Sequence, residues 1–199
     1  MAIIAFPSIE DADEHGLLAV GGDLEVSSLL LAYSKGIFPW PISEDMPLCW
    51  FSPDPRGILS FNQLNINRTL QKFLKYRSQK YQITFNREFH HVIRNCAEIK
   101  RNHQNSTWIT EDIIEAYIDL FNCGYAYSVE VTNIESKALV GGVYGVALNG
   151  FYSGESMFSK EDNVSKLALI ALLSKLNEFN IGWIDTQMIT PVVESLGGK

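Results

Sequence analysis

Apolar side chains recur with the period of a helix in two segments near the middle of the chain. The first segment, residues 67–77, repeats them at Leu70 and Phe73, and the second repeats them at i, i+3, i+4 and i+7 from Phe89. Residues 81–85, between these segments, alternate between apolar and polar side chains as a half-buried strand does. The pattern therefore predicts two amphipathic helices around a short strand.

The second half of the chain predicts more strands. A helix is expected to begin after Thr110, whose hydroxyl suits an N-cap, and to end at Gly124. Asn149-Gly150 favours a tight hairpin turn. Strand-like segments cover residues 125–132, 138–148, 151–157 and 181–188, and an apolar helix is predicted over 163–179. This order predicts an α+β fold with a mainly antiparallel sheet closed by one parallel pair.

Residues 1–60 are rich in proline and glycine. We predict one helix there, at about residues 27–35 with Gly36 as its stop, and a strand at 56–61. The rest is expected to be irregular backbone packed on the remainder of the chain. The expected organisation is an N-terminal extension or small domain at 1–60, followed by the main domain at 61–199.

Composition excludes several classes of protein. Of the 199 residues, 46% are hydrophobic and 12% aromatic, which is typical of a globular chain. The longest apolar run, residues 167–173, is too short to cross a bilayer, and no signal-peptide pattern opens the chain. Cys49, Cys96 and Cys123 are scattered and form no CxxC pair. We therefore expect a cytoplasmic protein with neither a metal nor a cofactor.

Charge is distributed in three blocks whose sum is −7. Residues 1–60 carry 2 basic and 9 acidic side chains, residues 61–110 carry 9 and 2, and residues 111–199 carry 5 and 12. Such a basic block in an acidic protein indicates either a polyanion partner or a solvated helix face. Its densest part has no carboxylate and consists of Arg68, Lys72, Lys75, Arg77 and Lys80. A polar loop is predicted at residues 100–107.

Several other residues could carry chemistry, and each has a plainer interpretation. Asp185 and Gln187 alternate on one predicted strand, so both side chains face one side of it, but a carboxylate there could also be a capped strand end. Glu155 is a charge among apolar residues, and could equally be an edge position facing water. Leucines at helical spacing (Leu169, Leu172, Leu176) are usually core, and a buried tryptophan is usually structural.

Ten sequence blocks resemble the leucyl/phenylalanyl-tRNA–protein transferase family, and the match runs in order from Phe6 to Gly197. They are FP at 6–7, GLLAVGGDL at 16–24, AYSKGIFPW at 32–40, CWFSPDPRGIL at 49–59, TWIT at 107–110, GYAYSVEV at 124–131, LVGGVYGVAL at 139–148, GESMFS at 154–159, NVSKLAL at 163–169 and IDTQMITP at 184–191. The resemblance implies a main domain with the GCN5-related acyltransferase fold. Members of the family commonly continue beyond the position of Lys199, so a shortened C-terminus is expected.

The resemblance also implies an activity and a set of roles. The family transfers leucine or phenylalanine from tRNA to proteins that begin with Lys or Arg, marking them for degradation. By resemblance, Asp185 and Gln187 are catalytic and Glu155 lies near the tRNA 3′ end. The five basic residues at 68–80 are the tRNA surface. The terminal adenosine is expected against Trp40 and Trp108, and the Leu or Phe side chain in a pocket lined by Val143, Leu169, Leu172, Leu176 and Ile184. The expected partners are leucyl-tRNA, phenylalanyl-tRNA and such acceptor proteins, and the chain is expected to be monomeric.

Two other functions are compatible with the predicted fold. A coenzyme-A-dependent N-acyltransferase needs a glycine-rich turn that holds pyrophosphate at the start of its long helix. Residues 159–163, which occupy that place, read SKEDN and carry two acids and no glycine. A non-catalytic tRNA-binding protein would not need the combination of Asp185, Gln187 and Glu155. Both alternatives are therefore less favoured than aminoacyl transfer.

Overall fold

The computed structural model describes residues 2–42, 46–99 and 107–199. Its helices are α1 (Val26–Tyr33), α2 (Arg68–Tyr76), α3 (Phe89–Glu98), α4 (Glu111–Asn122), α5 (Val164–Glu178) and α6 (Pro191–Ser195). Its strands are β1 (Leu17–Val20), β2 (Phe38–Pro39), β3 (Cys49–Phe51), β4 (Gly57–Ser60), β5 (Tyr81–Phe85), β6 (Ala126–Asn133), β7 (Leu139–Leu148), β8 (Phe151–Ser159) and β9 (Trp183–Gln187). Most of the polar loop predicted at 100–107 lies outside the described residues.

Six strands form the main sheet, in the order β4-β9-β8-β7-β6-β5. Neighbouring strands are antiparallel except β8 and β9, which are parallel and pair at Ser153 and Asp185. The long helix α5 forms the crossover that a parallel pair requires. The predicted α+β architecture, mainly antiparallel with a closing parallel pair, is confirmed.

The N-terminal region is more regular than predicted. Strands β1, β3 and β2 form a small antiparallel sheet in that order. The expectation of irregular backbone outside one helix and the strand at 56–61 was therefore wrong. These strands have four residues or fewer, which is too short for a period-two pattern to stand out. β4 belongs to the main sheet although it falls within residues 1–60, and the division at residue 60 stays a prediction.

Helix ends follow the sequence signals. The Thr110 hydroxyl accepts a hydrogen bond from the amide of Ile113, and the Asn67 side chain accepts one from Leu70. Gly36 and Gly124 have φ of +75° and +80°, the left-handed conformation that ends α1 and α4 without a Cβ penalty.

The main sheet separates two buried apolar clusters. On one face, α1, α3 and α4 pack against side chains such as Tyr144. On the other, α2 and α5 pack against side chains such as Val143. Adjacent residues of β7 therefore face opposite clusters, as pleating requires. Within the described ranges, none of the helices has the length and apolar character that a membrane span needs.

Candidate active site

Glu155 lies at a break in the pairing of β8 with β7. Tyr144 pairs with Ser156 and Gly145 with Gly154, so Glu155 is an extra residue without an opposite partner in the register. Such a bulge bends the strand and changes the direction of the bulged side chain. The Glu155 side chain then reaches the side chains of Tyr117, Ser153 and Gln187.

The Glu155 carboxylate is half-buried and accepts several hydrogen bonds. The Gln187 Nε2 donates to its Oε1 at 2.9 Å and the Ser153 hydroxyl at 3.2 Å, while the Tyr117 hydroxyl donates to Oε2 at 3.2 Å. Burial raises the pKa of Glu155 to about 7, and the hydrogen bonds oppose this only in part. A carboxyl with that pKa exchanges a proton near neutral pH.

Two phenols extend this hydrogen-bond network into the core. The hydroxyls of Tyr33 on α1 and Tyr117 on α4 are hydrogen-bonded to each other, and the rings meet edge to face at 6.5 Å. Burial, followed by the charge of Glu155, holds the pKa of both phenols well above the ordinary 10. Both therefore remain protonated and available as donors. Neither tyrosine stands out in the sequence, because each is an ordinary core position in its helix.

Asp185 and Gln187 come together at the end of β9, but not by simple alternation. Gln187 has φ +61°, so the strand ends in a left-handed residue. The Asp185 Oδ1 accepts a hydrogen bond from the Gln187 backbone N–H at 2.8 Å, and the Gln187 side chain reaches Glu155 instead. Asp185 therefore contacts Gln187 through the backbone and not through its side-chain amide.

Arg56, which was not among the residues predicted from the sequence, pairs with Asp185. Its Nε lies 2.9 and 3.1 Å from the two carboxylate oxygens, and its Nη2 lies 2.7 Å from Oδ2. This geometry commits both oxygens of Asp185 to a guanidinium. The sequence offered one indication of Arg56, the scarcity of basic residues near it. Arg56 and Lys35 are the two basic residues in the acidic block at 1–60.

The two predicted tryptophans, 68 positions apart in sequence, are in contact. Trp40 and Trp108 stack with ring centroids 5.2 Å apart and an interplanar angle of 22°. Phe38 meets Trp40 at 6.3 Å. The structure therefore brings two distant motifs into one aromatic surface, in which Trp40 is half-buried and Trp108 is buried.

The five residues of the expected side-chain pocket share one buried cluster on the α5 face of the sheet. They are Val143, Leu169, Leu172, Leu176 and Ile184, each no more than 8% exposed. Ile184 directly precedes Asp185 and lies beside Gly154, the neighbour of Glu155. The apolar set therefore adjoins the polar network across the sheet.

The five basic residues predicted to bind tRNA lie on the surface of the protein. Arg68, Lys72 and Lys75 are exposed on α2, and Arg77 and Lys80 are exposed just after it. The opposite side of α2 buries Leu70 and Phe73. A cleft of about 480 Å³ beside the helix is lined by Phe73, Arg77, Gln79, Lys80, Tyr81, Asn133, Ile134, Glu135, Glu161 and Asp162.

Comparison with known proteins identifies the family. The family model for leucyl/phenylalanyl-tRNA protein transferase matches residues 58–199, and a model for the N-terminal domain of the same family matches residues 22–54. The chain belongs to the leucyl/phenylalanyl-tRNA–protein transferase family. The expected resemblance is thus confirmed.

Relatives in this family match nearly the whole chain. A leucyl/phenylalanyl-tRNA–protein transferase from Colwellia psychrerythraea is 48% identical over 98% of this chain and 82% of its own length. A transferase of the same name from Flavobacterium johnsoniae is 46% identical over 96% of this chain and 88% of its own length.

Two solved structures show weaker likeness. An acetyltransferase of the GNAT family from Staphylococcus aureus is 19% identical, with a TM-score of 0.39, over 50% of this chain and 69% of that one. L-PGS from Bacillus licheniformis is 13% identical, with a TM-score of 0.44, over 84% of this chain and 52% of that one. Likeness at this level carries no argument about the site.

Proposed function

We propose that the protein transfers leucine or phenylalanine from its tRNA to the α-amine of proteins that begin with Lys or Arg, and so marks them for degradation. Within this family, the observation that carries the proposal is the hydrogen-bonded network of Glu155, Gln187 and Asp185 at the bulge. A binding surface alone would not need a carboxyl with a pKa near 7 at its centre.

The reaction needs proton transfer and alignment. The acceptor's α-ammonium first loses a proton, for which Glu155 is the acceptor, and the free amine attacks the ester carbonyl carbon. The new C–N bond forms as the bond to the tRNA 3′ oxygen breaks, and that oxygen takes a second proton from the nitrogen. The first proton is released to solvent. Holding amine and ester together can supply about 7–11 kcal/mol of the barrier.

Asp185 and Gln187 have separate parts in this proposal. The Gln187 amide already donates to Glu155 and can exchange that contact for the reacting carbonyl oxygen as negative charge develops there. Asp185 organises Gln187 rather than acting as a base, because both of its oxygens accept from Arg56. This assignment favours one of the two roles that the sequence left open.

The donor is held at two places. The half-buried Trp40, stacked on the buried Trp108, offers an aromatic ring against which the terminal adenosine can stack. The leucine or phenylalanine side chain enters the apolar cluster around Leu169, Leu172 and Ile184, next to the polar network.

The exposed basic residues on and after α2 bind the phosphate backbone of the tRNA. Lys72 and Lys75 lie within a helix whose other side is anchored in the core, so a rigid row of cations is presented. Contacts of this kind give affinity without reading sequence, and so allow several tRNAs to be accepted.

The turn before α5 argues against an acyl-coenzyme-A donor. Glu161 in this turn accepts hydrogen bonds from Tyr81 at 2.7 Å and from Asn133 at 3.2 Å, which fix a carboxylate near the place where a pyrophosphate would bind. We assign residues 61–199 to the GCN5-related acyltransferase fold with a different donor. The enzyme works in the cytoplasm, because charged tRNA is its substrate. It works as a monomer, because one chain supplies the whole hydrogen-bonded network.

The direct test mixes purified protein with leucyl-tRNA and a peptide that begins with Lys. The expected result is a mass increase of one leucyl residue on the α-amine, and no increase with uncharged tRNA. Leucyl-coenzyme A as the sole donor should give no product. Binding of charged tRNA without any transfer would instead support the non-catalytic alternative.

A further inference from the structure

Arg56 joins three separate parts of the site. Its Nε and Nη2 pair with the two Asp185 oxygens, and its Nη1 donates to the Gly36 carbonyl at 2.9 Å. Its guanidinium also lies 5.0 Å from the centre of the Phe38 ring. The side chains of Arg56 and Asp185 are only 24% and 8% exposed, so water competes little for this pair.

The fork of Arg56 fixes the direction of the Asp185 carboxylate. With both oxygens held by the guanidinium, Oδ1 points at the Gln187 backbone N–H, 2.8 Å away. This hydrogen bond supports Gln187 in its left-handed conformation, which a residue with a Cβ adopts only when its surroundings hold it there. The Gln187 amide thereby reaches Glu155. Arg56 thus acts on the carboxyl at the centre of the site through two intermediate residues.

The other contacts of Arg56 lead to the aromatic surface and to α1. Phe38, below the guanidinium, meets Trp40, which stacks on Trp108. Gly36 ends the helix that carries Tyr33, a member of the phenol pair. One side chain therefore spans from the surface proposed for the adenosine to the turn proposed for the reacting carbonyl.

We propose that Arg56 is a positioning residue for aminoacyl transfer, which holds the Asp185–Gln187 turn in place relative to the aromatic surface. The inference rests on the proposed function and adds a residue to it. Arg56 contacts neither substrate in this scheme, so replacing it should lower kcat and leave the KM for charged tRNA nearly unchanged.

The test is a double-mutant cycle with Arg56→Gln and Asp185→Asn. In the wild-type background, Arg56→Gln should lower kcat by about 10- to 100-fold, the loss typical of a small misplacement of reacting groups. In the Asp185→Asn background the same change should cost less than about threefold, because the partner through which Arg56 acts is already altered. The double variant leaves no unpaired buried charge, so it also controls for misfolding.

Two further variants sharpen the test. Arg56→Lys keeps the charge but loses the fork, and should recover only part of kcat. Arg94→Gln is the matched control, because Arg94 forms a comparable ion pair with Glu111 on the exposed surface, at 2.9 Å, and should retain at least half of wild-type kcat.

Each outcome separates this inference from the proposed function. An equal loss of kcat in both backgrounds, or a loss confined to KM for tRNA, would overturn the positioning role. So would full activity of Arg56→Gln. If the wild-type protein itself transfers no leucine, the proposed function is overturned and this inference goes with it.

Discussion

At the scale of single residues, the site depends on a carboxyl that is partly removed from water. Glu155 has its pKa raised from 4.5 to about 7, mainly by burial. The folded protein therefore favours the protonated form. The stability due to this preference is fully present below pH 4.5 and is lost as the pH rises through 7.

Glu155→Gln should remove this pH dependence and lower transfer. The neutral amide keeps the shape of the side chain but does not ionise. The unfolding free energy of the variant minus that of wild type should therefore be about 2 kcal/mol higher at pH 8 than at pH 5. Urea unfolding at both pH values measures the gain. Because Glu155 must be ionised to accept a proton, wild-type kcat should rise with pH around 7, and the variant should lack this rise. If the variant and wild type differed in unfolding free energy by the same amount at pH 5 and pH 8, the raised pKa of Glu155 would be contradicted.

Gln187 allows conformation and chemistry to be separated. Gln187→Gly and Gln187→Ala both delete the side-chain amide, so each should lower kcat by about 100-fold, as loss of one oxyanion donor does. At φ +61°, alanine carries a Cβ penalty that glycine lacks. The glycine variant should therefore have an unfolding free energy about 1 kcal/mol higher than that of the alanine variant.

Measured kcat and urea midpoints of the two variants check this prediction. Equal stability would mean that the left-handed turn relaxes once the amide is gone. Unequal kcat would mean that the turn, rather than the amide, determines the rate.

At the scale of elements, segments with a clear apolar period were predictable, and short segments without one were not. Residues 81–85 are a strand and residues 67–77 contain α2, because their apolar periodicity is local. β1, β2, β3 and α6, with five residues or fewer, were not predicted.

The bulge at Glu155 illustrates why part of the site was not predictable. It depends on how β7 and β8 pair, which is a relation between two segments and leaves no mark within either one. The Asp185–Arg56 pair is similar, since 129 positions separate its members. Glu155 was singled out as a charge among apolar residues and by the family resemblance, but neither signal predicted the bulge, and the scarcity of basic residues in 1–60 did not identify the partner of Arg56.

The bulge can be tested through Gly145, which faces it from β7. A Cβ at Gly145 would collide with the Ser153 carbonyl oxygen and would lie 2.6 Å from the Tyr152 ring. Gly145→Ala should therefore lower the unfolding free energy by about 1–3 kcal/mol and lower transfer as well. The control is Gly182→Ala, where a Cβ meets nothing within 4 Å. Urea unfolding of both variants measures the effect, and equal stabilities would show that the strand pairing adapts.

The role proposed for α2 is electrostatic and is tested by salt. The double variant Lys72→Ala/Lys75→Ala should bind tRNA more weakly. The slope of log affinity against log salt concentration should also become shallower, by about one for each phosphate that the variant no longer neutralises. Preference between leucyl and phenylalanyl donors should not change, because the amino acid lies in the separate apolar cluster. The control variant, Lys137→Asn/Lys175→Ala, removes the same charge elsewhere. If the slope stays the same, α2 is a solvated helix face.

At the scale of the whole molecule, charge is segregated. The basic block of 9 cations and 2 acids at residues 61–110 is flanked by acidic blocks of 2 against 9 and 5 against 12. Under the proposed function, a chain of net charge −7 should attract tRNA mainly at the basic residues on and after α2. Under the same proposal, the acidic remainder should attract a cationic acceptor. The two substrates of the proposed reaction are thus drawn to different parts of one chain.

Acceptor choice should reflect this segregation. Peptides that begin with Lys or Arg should be modified at least about tenfold faster than peptides that begin with Ala or Asp, because a second cation near the amine adds attraction that a neutral or acidic residue lacks. Competition between the four peptides, read by mass spectrometry, measures the ratio. Raising the salt concentration should reduce it, since exposed charges are screened over about 8–10 Å at physiological ionic strength. An N-acetylated Lys peptide should remain unmodified, because the α-amine and not the side chain is the nucleophile. Equal rates for all four free peptides would remove electrostatic acceptor selection from the mechanism while leaving the transfer chemistry at Glu155 intact.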